Sequence, residues 1–432
     1  MTPAARLSAA IEVLTEIEAK KRPAPDALRE WGQTHRFAGS GDRSAIGSLL
    51  FDALRRRASS AWLMGAETPR AVLLGALRLA RNMSAEDIAK LADGSRFAPE
   101  PLSDDEKKRL ETGSLGKAPP HIAGDYPEWL DTHFAQSFGD ERWQEGMALA
   151  NRAPLDLRVN TLKGGRDGAA KELSHLNPAP TRWSSHGLRI ELSADGKQPP
   201  VTSEPSFIKG DFEVQDEGSQ LAALFAGVEP GQQVLDLCAG AGGKTLALAA
   251  HMQNKGQLFA YDSDLRRLKP IHERIARAGA HNVQVVSPKG KQDVLSDLAG
   301  KMDVVLLDAP CTGTGVWRRH PDAKWRIRPG ALEIRQREQA ALLDESVRFV
   351  RPGGKIIYVT CSILDAENGA QIRSFRERNP SFEIVSTNDV MKPLGENAPI
   401  FARAAKLSDE GIQMTPRRTG TDGFFVSVLR KV

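Results

Sequence analysis

Two cysteines of this 432-residue sequence stand where strands of a buried sheet would end. Cys311 follows the apolar run MDVVLLD (302–308), and Cys361 closes the run KIIYVTC (355–361). A lone cysteine is usually a packing residue, but two at the ligand-facing ends of neighbouring strands indicate thiolate chemistry. The sequence holds three cysteines and no C-x-x-C pair, which argues against a disulfide framework and a zinc site, so we expect no metal.

A glycine-rich turn joins the strand-like segment QVLDL (233–237) to a helical stretch at 244–253. Glycines allow close backbone approach and positive φ angles, and the N–H groups that begin a helix favour an anionic ligand. The ending Gly-Lys-Thr matches a P-loop, but that motif requires glycine at position 238, and the spacing does not form the G-x-G-x-x-G of dehydrogenases either. The residues expected to line a cofactor here are Cys238, Ala239, Gly240, Ala241, Gly242, Gly243 and Lys244.

An acidic residue closes the next strand-like segment, QLFAYD (257–262). Asp262 lies 20 residues beyond Gly242, where a carboxylate can accept hydrogen bonds from the ribose hydroxyls of an adenosine. S-adenosylmethionine has ribose and adenine but no phosphate, so the sequence predicts it as the cofactor. The competing interpretation is a tight structural turn followed by a surface aspartate.

The positive charge of the chain is concentrated after Cys311. Residues 311–337 hold seven Lys or Arg against two acidic side chains, a net charge of +5, whereas the whole chain carries +4. Basic side chains neutralise phosphates and aromatic rings stack on exposed bases, so this segment favours RNA as the partner. The alternative is a solvated helix face with Trp317 and Trp325 in the core. The predicted RNA contacts are Arg318, Arg319, His320, Lys324 and Trp325.

The elements around these residues predict an α/β fold with two additional parts. From 229 to 432 apolar strands alternate with helices, which is typical of a doubly wound, mostly parallel sheet, with 424–430 as a possible edge strand. Residues 1–96 are predicted to form an all-helical domain and 97–126 a linker. Residues 127–228 are predicted to form a small α+β module, with strands at 155–162, 189–192 and 207–215 and helices at 140–151 and 166–175.

The remaining composition favours a cytoplasmic protein without a membrane segment. Among the 432 residues, 40% are hydrophobic and 26% charged. We find no run near the roughly 20 apolar residues of a membrane-spanning helix, and no signal-peptide core at the start.

Several motifs together resemble the Sun (Fmu-type) family of RNA cytosine-5 methyltransferases. They are LDLCAGAGGKT (235–245), LLDAPCTGTGVWRRHPDAKW (306–325), YVTCSILDAEN (358–368) and DGFFVSVLR (422–430), with LRVNTLK (157–163) and VQDEGSQL (214–221) upstream. The helical N-terminal part is similar to the NusB-like RNA-binding domain of bacterial rRNA members. The resemblance implies a Rossmann-like class I methyltransferase that uses S-adenosylmethionine and acts on RNA, with rRNA ahead of tRNA as substrate.

The resemblance also implies a role for each matching residue. Cys361 would be the nucleophile, and Cys311 would assist release of the product. Asp308 would hydrogen-bond the target base beside the cofactor, and Lys244 would lie close to both. The opposite assignment of the two cysteines, as in DNA cytosine-5 enzymes, stays open.

Two departures from the family pattern concern the cofactor. Ala241 stands where the family usually has proline. The aspartate that usually follows the third strand is missing from the stretch 287–291, and Asp293 is the nearest acidic replacement, at a different spacing. This second departure favours a rival function, an RNA-binding ribosome-assembly factor without useful turnover, which the intact Cys311 and Cys361 oppose.

Overall fold

The computed structural model describes residues 1–193, 196, 198–290 and 292–432, and these residues divide into two compact units. The helical unit comprises Met1–Ala153, the described residues of 192–197, and Trp317–Arg328. The sheet unit comprises Pro154–Glu191, the described residues of 198–316, and Pro329–Val432.

The helical unit begins with a capped amphipathic helix. Thr2 accepts a hydrogen bond from the Ala5 N–H, and Pro3 stands in the first turn, where its missing N–H costs nothing. Leu7 and Leu14 then face the apolar core. The helices of this unit are α1 Pro3–Lys20, α2 Ala24–Thr34, α3 Ser40–Arg55, α4 Arg57–Met64, α5 Pro69–Arg81, α6 Ala85–Leu91, α7 Asp104–Thr112, α8 Pro120–Ala123, α9 Asp131–Phe138, α10 Arg142–Ala150 and α17 Ala323–Arg326.

The predicted linker at 97–126 is wrong, because this stretch is a folded part of the helical unit. Leu102 and Leu110 are buried in the same apolar core as α1 and α5. A capping box between Ser103 and Glu106 starts α7. The sequence of α7 is almost entirely charged, so a single buried leucine was too weak a signal to identify a packed helix.

A small antiparallel sheet opens the sheet unit. Within the described residues its strand order is β2-β3-β1-β4, with β1 Leu155–Val159, β2 Ala179–Pro180, β3 Gly187–Ile190 and β4 Phe212–Val214. The strand predicted over 207–215 is correct only for its second half. Pro205 starts a short helix, α12 (Pro205–Lys209), and Gly210 ends it with a φ of 81°.

The large sheet has the predicted doubly wound order. Across the described residues the strands run β11-β12-β13-β9-β8-β5-β6-β7, and β10 pairs with β13. The neighbours β9-β8-β5-β6-β7 are parallel. The strands are β5 Gln233–Asp236, β6 Gln257–Tyr261, β7 Val283–Val286, β8 Met302–Asp308, β9 Val350–Thr360, β10 Phe382–Ile384, β11 Lys406–Leu407, β12 Ile412–Met414 and β13 Phe424–Lys431.

Helices cover this sheet. Pro270 separates α15 (Leu265–Leu268) from α16 (Ile271–Ala278), because proline lacks the N–H that an inner helical turn needs. The helices of the sheet unit are α11 Arg166–Glu172, α12 as above, α13 Glu217–Leu224, α14 Gly243–His251, α15 Leu265–Leu268, α16 Ile271–Ala278, α18 Pro329–Ser346, α19 Gly369–Arg378, α20 Thr387–Met391 and α21 Ala398–Ala404.

Strand β13 lies inside the sheet rather than at the edge predicted for it. It pairs antiparallel with β9 on one side and with β12 on the other. The chain after β5 continues to β6 on one side, and β8 returns on the other, so the strand order reverses next to β5. Ligands of open α/β sheets bind at such a reversal, beyond the carboxyl ends of the strands. No helix among the described residues has the length and apolar character needed to cross a bilayer.

Candidate active site

The glycine turn leaves the carboxyl end of β5 in a conformation that only glycine adopts easily. Gly240 and Gly242 have φ angles of 51° and 88°. A Cβ atom on Gly242 would lie 2.5 Å from Cγ1 of Ile271, so the turn packs directly against α16. The Gly242 N–H donates to the carbonyl of Ala239, and the Ala239 N–H donates to the Tyr261 carbonyl at the end of β6. The positive φ angles and the close contact with Ile271 therefore both explain why glycine stands at position 242.

Asp262 is almost fully buried where β6 meets this turn. Its side chain is 2% exposed, and its Oδ2 accepts the Gly240 N–H at 3.0 Å. The Oδ1 atom accepts the Asp264 N–H at 2.9 Å, and the Arg267 guanidinium lies 3.5 Å from Oδ2. A buried carboxylate held by backbone donors has a fixed orientation, as a ligand contact requires.

A cavity of about 410 Å³ lies next to Asp262, within the sheet unit. Its walls combine apolar and aromatic side chains with polar ones, among them Cys238, Tyr261, Asp262, Asp293 and Leu342. Burial raises the pKa of the Cys238 thiol, so this cysteine is held in its neutral form. A concave, mostly apolar pocket with a few oriented polar groups is typical of a small-molecule site.

Lys244, at the start of α14, forms an ion pair across the strand ends. Its ammonium is 2.7 Å from Oδ2 of Asp308, the last residue of β8, and 5.0 Å from the ring centroid of Phe424. The Lys244 side chain is 8% exposed, whereas that of Asp308 is 35% exposed. Asp308 therefore combines a fixed position with access to a ligand.

Asp236 belongs to this cluster and was missed by the sequence reasoning. It ends β5, and its Oδ2 accepts from the Thr245 hydroxyl at 2.7 Å. Burial raises the pKa of this carboxyl to about 7; nearby Asp308 adds to the rise and the Thr245 hydrogen bond opposes it. An acidic residue that closes an apolar strand directly before a glycine turn is the signal that could have identified it.

The two cysteines meet at the same edge of the sheet. Strands β8 and β9 pair in parallel with Asp308 opposite Val359, so the loops that follow them run side by side. The Sγ atoms of Cys311 and Cys361 are 3.3 Å apart, and both residues are half-buried. The hydrogen bond with Cys361, together with burial, raises the pKa of Cys311 well above its usual range. Two thiols, a carboxyl group and an ammonium thus converge at the reversal point of the sheet.

Comparison with known proteins identifies the family of this site. Residues 223–430 match the model described as 16S rRNA methyltransferase RsmB/F, and residues 126–195 match a ferredoxin-like domain of RsmF/B-like methyltransferases. A relative in Xanthomonas campestris, ribosomal RNA small subunit methyltransferase B, is 30% identical over 416 residues, covering 90% of this chain and 89% of its own length. The chain belongs to the RsmB/F family of methyltransferases.

Two further relatives agree with this membership. The small subunit methyltransferase B of Vibrio cholerae is 32% identical over 332 residues, covering 75% of this chain and 70% of its own length. The solved structure of PH0851 superimposes with a TM-score of 0.73 and 25% identity, covering 100% of this chain and 99% of that one. The family and the doubly wound fold expected from the motifs are thereby confirmed.

The cofactor of this RsmB/F member is S-adenosylmethionine, and the residues present fit it. The ribose hydroxyls of the cofactor need buried acceptors, and Asp262 supplies a carboxylate beside the cavity. The adenine needs apolar walls, which Tyr261 and Leu342 supply. Ala241, the residue that replaces the family's proline, offers its carbonyl to Arg274 at 2.7 Å and keeps the turn attached to α16.

The stretch in which the family's usual aspartate is absent borders the same cavity. Lys291 lies outside the described residues, but Gly290 and Asp293 both line the cavity. The Arg348 guanidinium binds both carboxylate oxygens of Asp293, at 2.5 and 3.0 Å. The ion pair lowers the pKa of Asp293, so this carboxylate is charged at the mouth of the site. Sequence spacing disfavoured Asp293 as a replacement, whereas the turn after β7 brings it to the cavity.

The small sheet supports the glycine turn through a buried arginine that the sequence reasoning did not single out. Arg158, on β1, donates to the Gly243 carbonyl at 2.7 Å and to Gln215 at 2.5 Å. Its side chain is buried although it stands on a strand with alternating apolar residues. A charged residue inside such a strand, within the motif LRVNTLK, was the available signal.

The structure corrects the predicted RNA contact for Lys324. Its ammonium is buried in the helical unit and donates to the Arg55 carbonyl at 3.0 Å. Burial lowers its pKa to about 7, against the opposing effect of Asp125. Trp317, also buried, stacks on Phe134 with ring centroids 6.0 Å apart. Trp317 is therefore a core tryptophan, as in the competing interpretation, whereas the burial of Lys324 contradicts both the RNA contact and the solvated helix face.

The other predicted RNA contacts differ in their exposure. Arg318 is 4% exposed, and its carbonyl accepts from Arg55 at 2.8 Å. Trp325 is half-buried and donates from its indole to the Leu54 carbonyl at 2.6 Å. Arg319 is half-buried and His320 is exposed. Among the predicted basic contacts, Arg319 and His320 therefore keep the accessibility that a phosphate contact requires.

Proposed function

We propose that this chain methylates carbon 5 of a cytosine in the RNA of the small ribosomal subunit, through a covalent adduct with Cys361. The observation that carries the proposal is the 3.3 Å approach of the Cys311 and Cys361 sulfurs, beside the Lys244–Asp308 ion pair. Small-subunit RNA is supported as the substrate by the names of the family and of the relatives.

Carbon 5 of cytosine is too weak a nucleophile to react without activation. When the Cys361 thiolate adds to carbon 6, a C–S bond forms and the electrons of the 5,6 double bond make carbon 5 enamine-like. S-adenosylmethionine, when bound, supplies the electrophilic methyl group. In the addition step N3 of the base takes up the proton that the Cys361 thiol loses. The Asp308 carboxylate then accepts hydrogen bonds from this N–H and from the amino group, which its one-third exposure permits.

Release of the product requires the reverse electron flow. A base removes the proton from carbon 5, the C–S bond breaks, and the 5,6 double bond re-forms as the Cys361 thiolate leaves. Cys311 assists this step from hydrogen-bonding distance of the leaving sulfur.

The cofactor residues follow from the cavity. Asp262 would accept hydrogen bonds from the ribose hydroxyls, and the backbone of residues 238–243 would bind the methionyl part. Asp293 and Arg348 also line the cavity, and the Asp293 carboxylate would accept a hydrogen bond from the adenine amino group. The proposed site thus binds the cofactor through the buried carboxylate of Asp262 and does not need a loop that binds phosphate.

Bisulfite sequencing of total RNA from a deletion strain tests the proposal. We expect one or more protected cytosines of small-subunit RNA to become reactive in the deletion strain and to regain protection with the wild-type gene. The Cys361→Ala gene, expressed to the same level, should not restore protection. Unchanged cytosine protection in the deletion strain, or loss confined to transfer RNA, would contradict the proposed substrate or reaction.

A further inference from the structure

A buried glutamate holds the loop that carries Cys311. Glu367 is 0% exposed, and its carboxylate accepts the Thr312 N–H at 2.8 Å and the Thr312 hydroxyl at 2.5 Å. The Gln339 amide, from α18, donates to the same carboxylate at 3.1 Å. Thr312 directly follows Cys311, so the position of this thiol depends on a side chain that lies 56 residues later.

The next residue holds the loop that carries Cys361. Asn368 is 1% exposed, and its amide donates to the Ser362 carbonyl at 2.9 Å. Its Oδ1 accepts from the Thr360 hydroxyl at 2.5 Å. Thr360 and Ser362 are the two neighbours of Cys361, so Asn368 binds the loop on both sides of this thiol.

The two contacts come from one turn. Residues 365–367 form a single 3₁₀ turn, and the Gln413 side chain on β12 accepts from Asn368 at 2.8 Å. Buried polar groups that are satisfied on every side have few alternative arrangements. One turn therefore sets the separation of the two sulfurs, which are 3.3 Å apart.

We propose that Glu367 and Asn368 are positioning residues with separate tasks: Glu367 places Cys311 for product release, and Asn368 places Cys361 for attack. This inference rests on the proposed covalent mechanism. A misplacement of about 1 Å can reduce a rate by roughly 100-fold, so loss of either set of hydrogen bonds is sufficient for a large effect.

The two tasks predict opposite phenotypes. In Glu367→Gln the amide cannot accept from all three donors, so Cys311 is displaced while Cys361 still attacks. We expect a kcat reduced on the order of 10- to 100-fold, unchanged KM values, and an accumulating protein–RNA adduct. In Asn368→Asp both amide donors are lost, and we expect a similar loss of kcat without adduct.

Purified full-length variants incubated with small-subunit RNA and S-adenosylmethionine would be assayed for methylated product and for adduct on denaturing gels. Thermal unfolding and cofactor titration check the fold, and Glu377→Gln, an exposed carboxylate on α19, is the matched control. Thr312→Val removes one donor to Glu367 at a half-buried position and should reproduce its phenotype more weakly.

The Cys311→Ala and Cys361→Ala variants in the same assay separate the two claims. Methylation by Cys361→Ala would show that Cys361 is not the nucleophile and would overturn the proposed function on which this inference rests. If the cysteine variants behave as expected, two results would overturn the positioning roles. One is wild-type kcat without adduct in Glu367→Gln. The other is a joint loss of cofactor binding and stability in both Glu367→Gln and Thr312→Val.

Discussion

Replacing Asp262 with alanine should weaken cofactor binding without preventing folding. The carboxylate is 2% exposed and is oriented by the N–H groups of Gly240 and Asp264. A charge-assisted hydrogen bond to the ribose contributes about 1.5–3 kcal/mol. The Kd for S-adenosylmethionine should therefore rise by roughly 10- to 150-fold. Isothermal titration calorimetry of the purified protein measures this directly.

Two further variants isolate the contribution of the charge at Asp262. Glu273→Ala removes an exposed carboxylate from α16, and we expect its Kd to equal that of the wild type. Asp262→Asn keeps an oxygen for the Gly240 N–H but loses the charge, so its Kd should lie between those of the wild type and Asp262→Ala. An unchanged Kd in Asp262→Ala would refute the ribose contact and the placement of the cofactor beside β6.

Three other expectations concern the turn, the basic segment and the buried lysine. Gly242→Ala should lower the free energy of unfolding by more than Gly231→Ala. Both glycines have positive φ (88° and 94°), where an alanine costs about 1–3 kcal/mol of strain, but only the Cβ at position 242 would meet a neighbouring atom, at 2.5 Å. Equal losses in urea unfolding would contradict the close approach of the turn to α16. Arg319→Ala should reduce the slope of log K for RNA binding against log salt concentration by about 1. Arg318 is buried, so Arg318→Ala should lower the stability of the fold and leave this slope unchanged. Equal slopes for Arg319→Ala and the wild type would show that Arg319 does not contact RNA phosphates. Burial lowers the pKa of Lys324 from 10.5 to about 7, so between these pH values the unfolded state binds one more proton than the folded state. The free energy of unfolding should therefore rise with pH by at most about 1.4 kcal/mol per pH unit. Lys324→Met should lack this rise between pH 7 and 9, and the same pH dependence in the variant and the wild type would contradict the lowered pKa.

The features that the sequence predicted well are those carried by consecutive residues. The strand that ends in Asp308 and the turn at 238–244 are local patterns of apolar run, small residues and helix start, and both form as expected. The proximity of Cys311 and Cys361 was also predictable, because parallel strands end at one edge of a sheet.

The features that were missed depend on partners distant in the chain. The Glu367–Thr312 contact spans 55 residues and Arg158–Gly243 spans 85, and no periodicity encodes either pairing. For the same reason alternation could not show that β13 lies between β9 and β12. The basic segment after Cys311 had the right composition for RNA, but composition does not reveal that Lys324 is buried.

The most direct test of the central claim is the behaviour of the two cysteines. Cys361→Ala and Cys311→Ala proteins would be incubated with small-subunit RNA and S-adenosylmethionine and resolved on denaturing gels. With Cys361 as nucleophile, Cys361→Ala forms neither methylated cytosine nor adduct, and Cys311→Ala accumulates a denaturation-resistant protein–RNA adduct because attack proceeds while release fails. An adduct in Cys361→Ala and none in Cys311→Ala would contradict the assignment and make Cys311 the nucleophile.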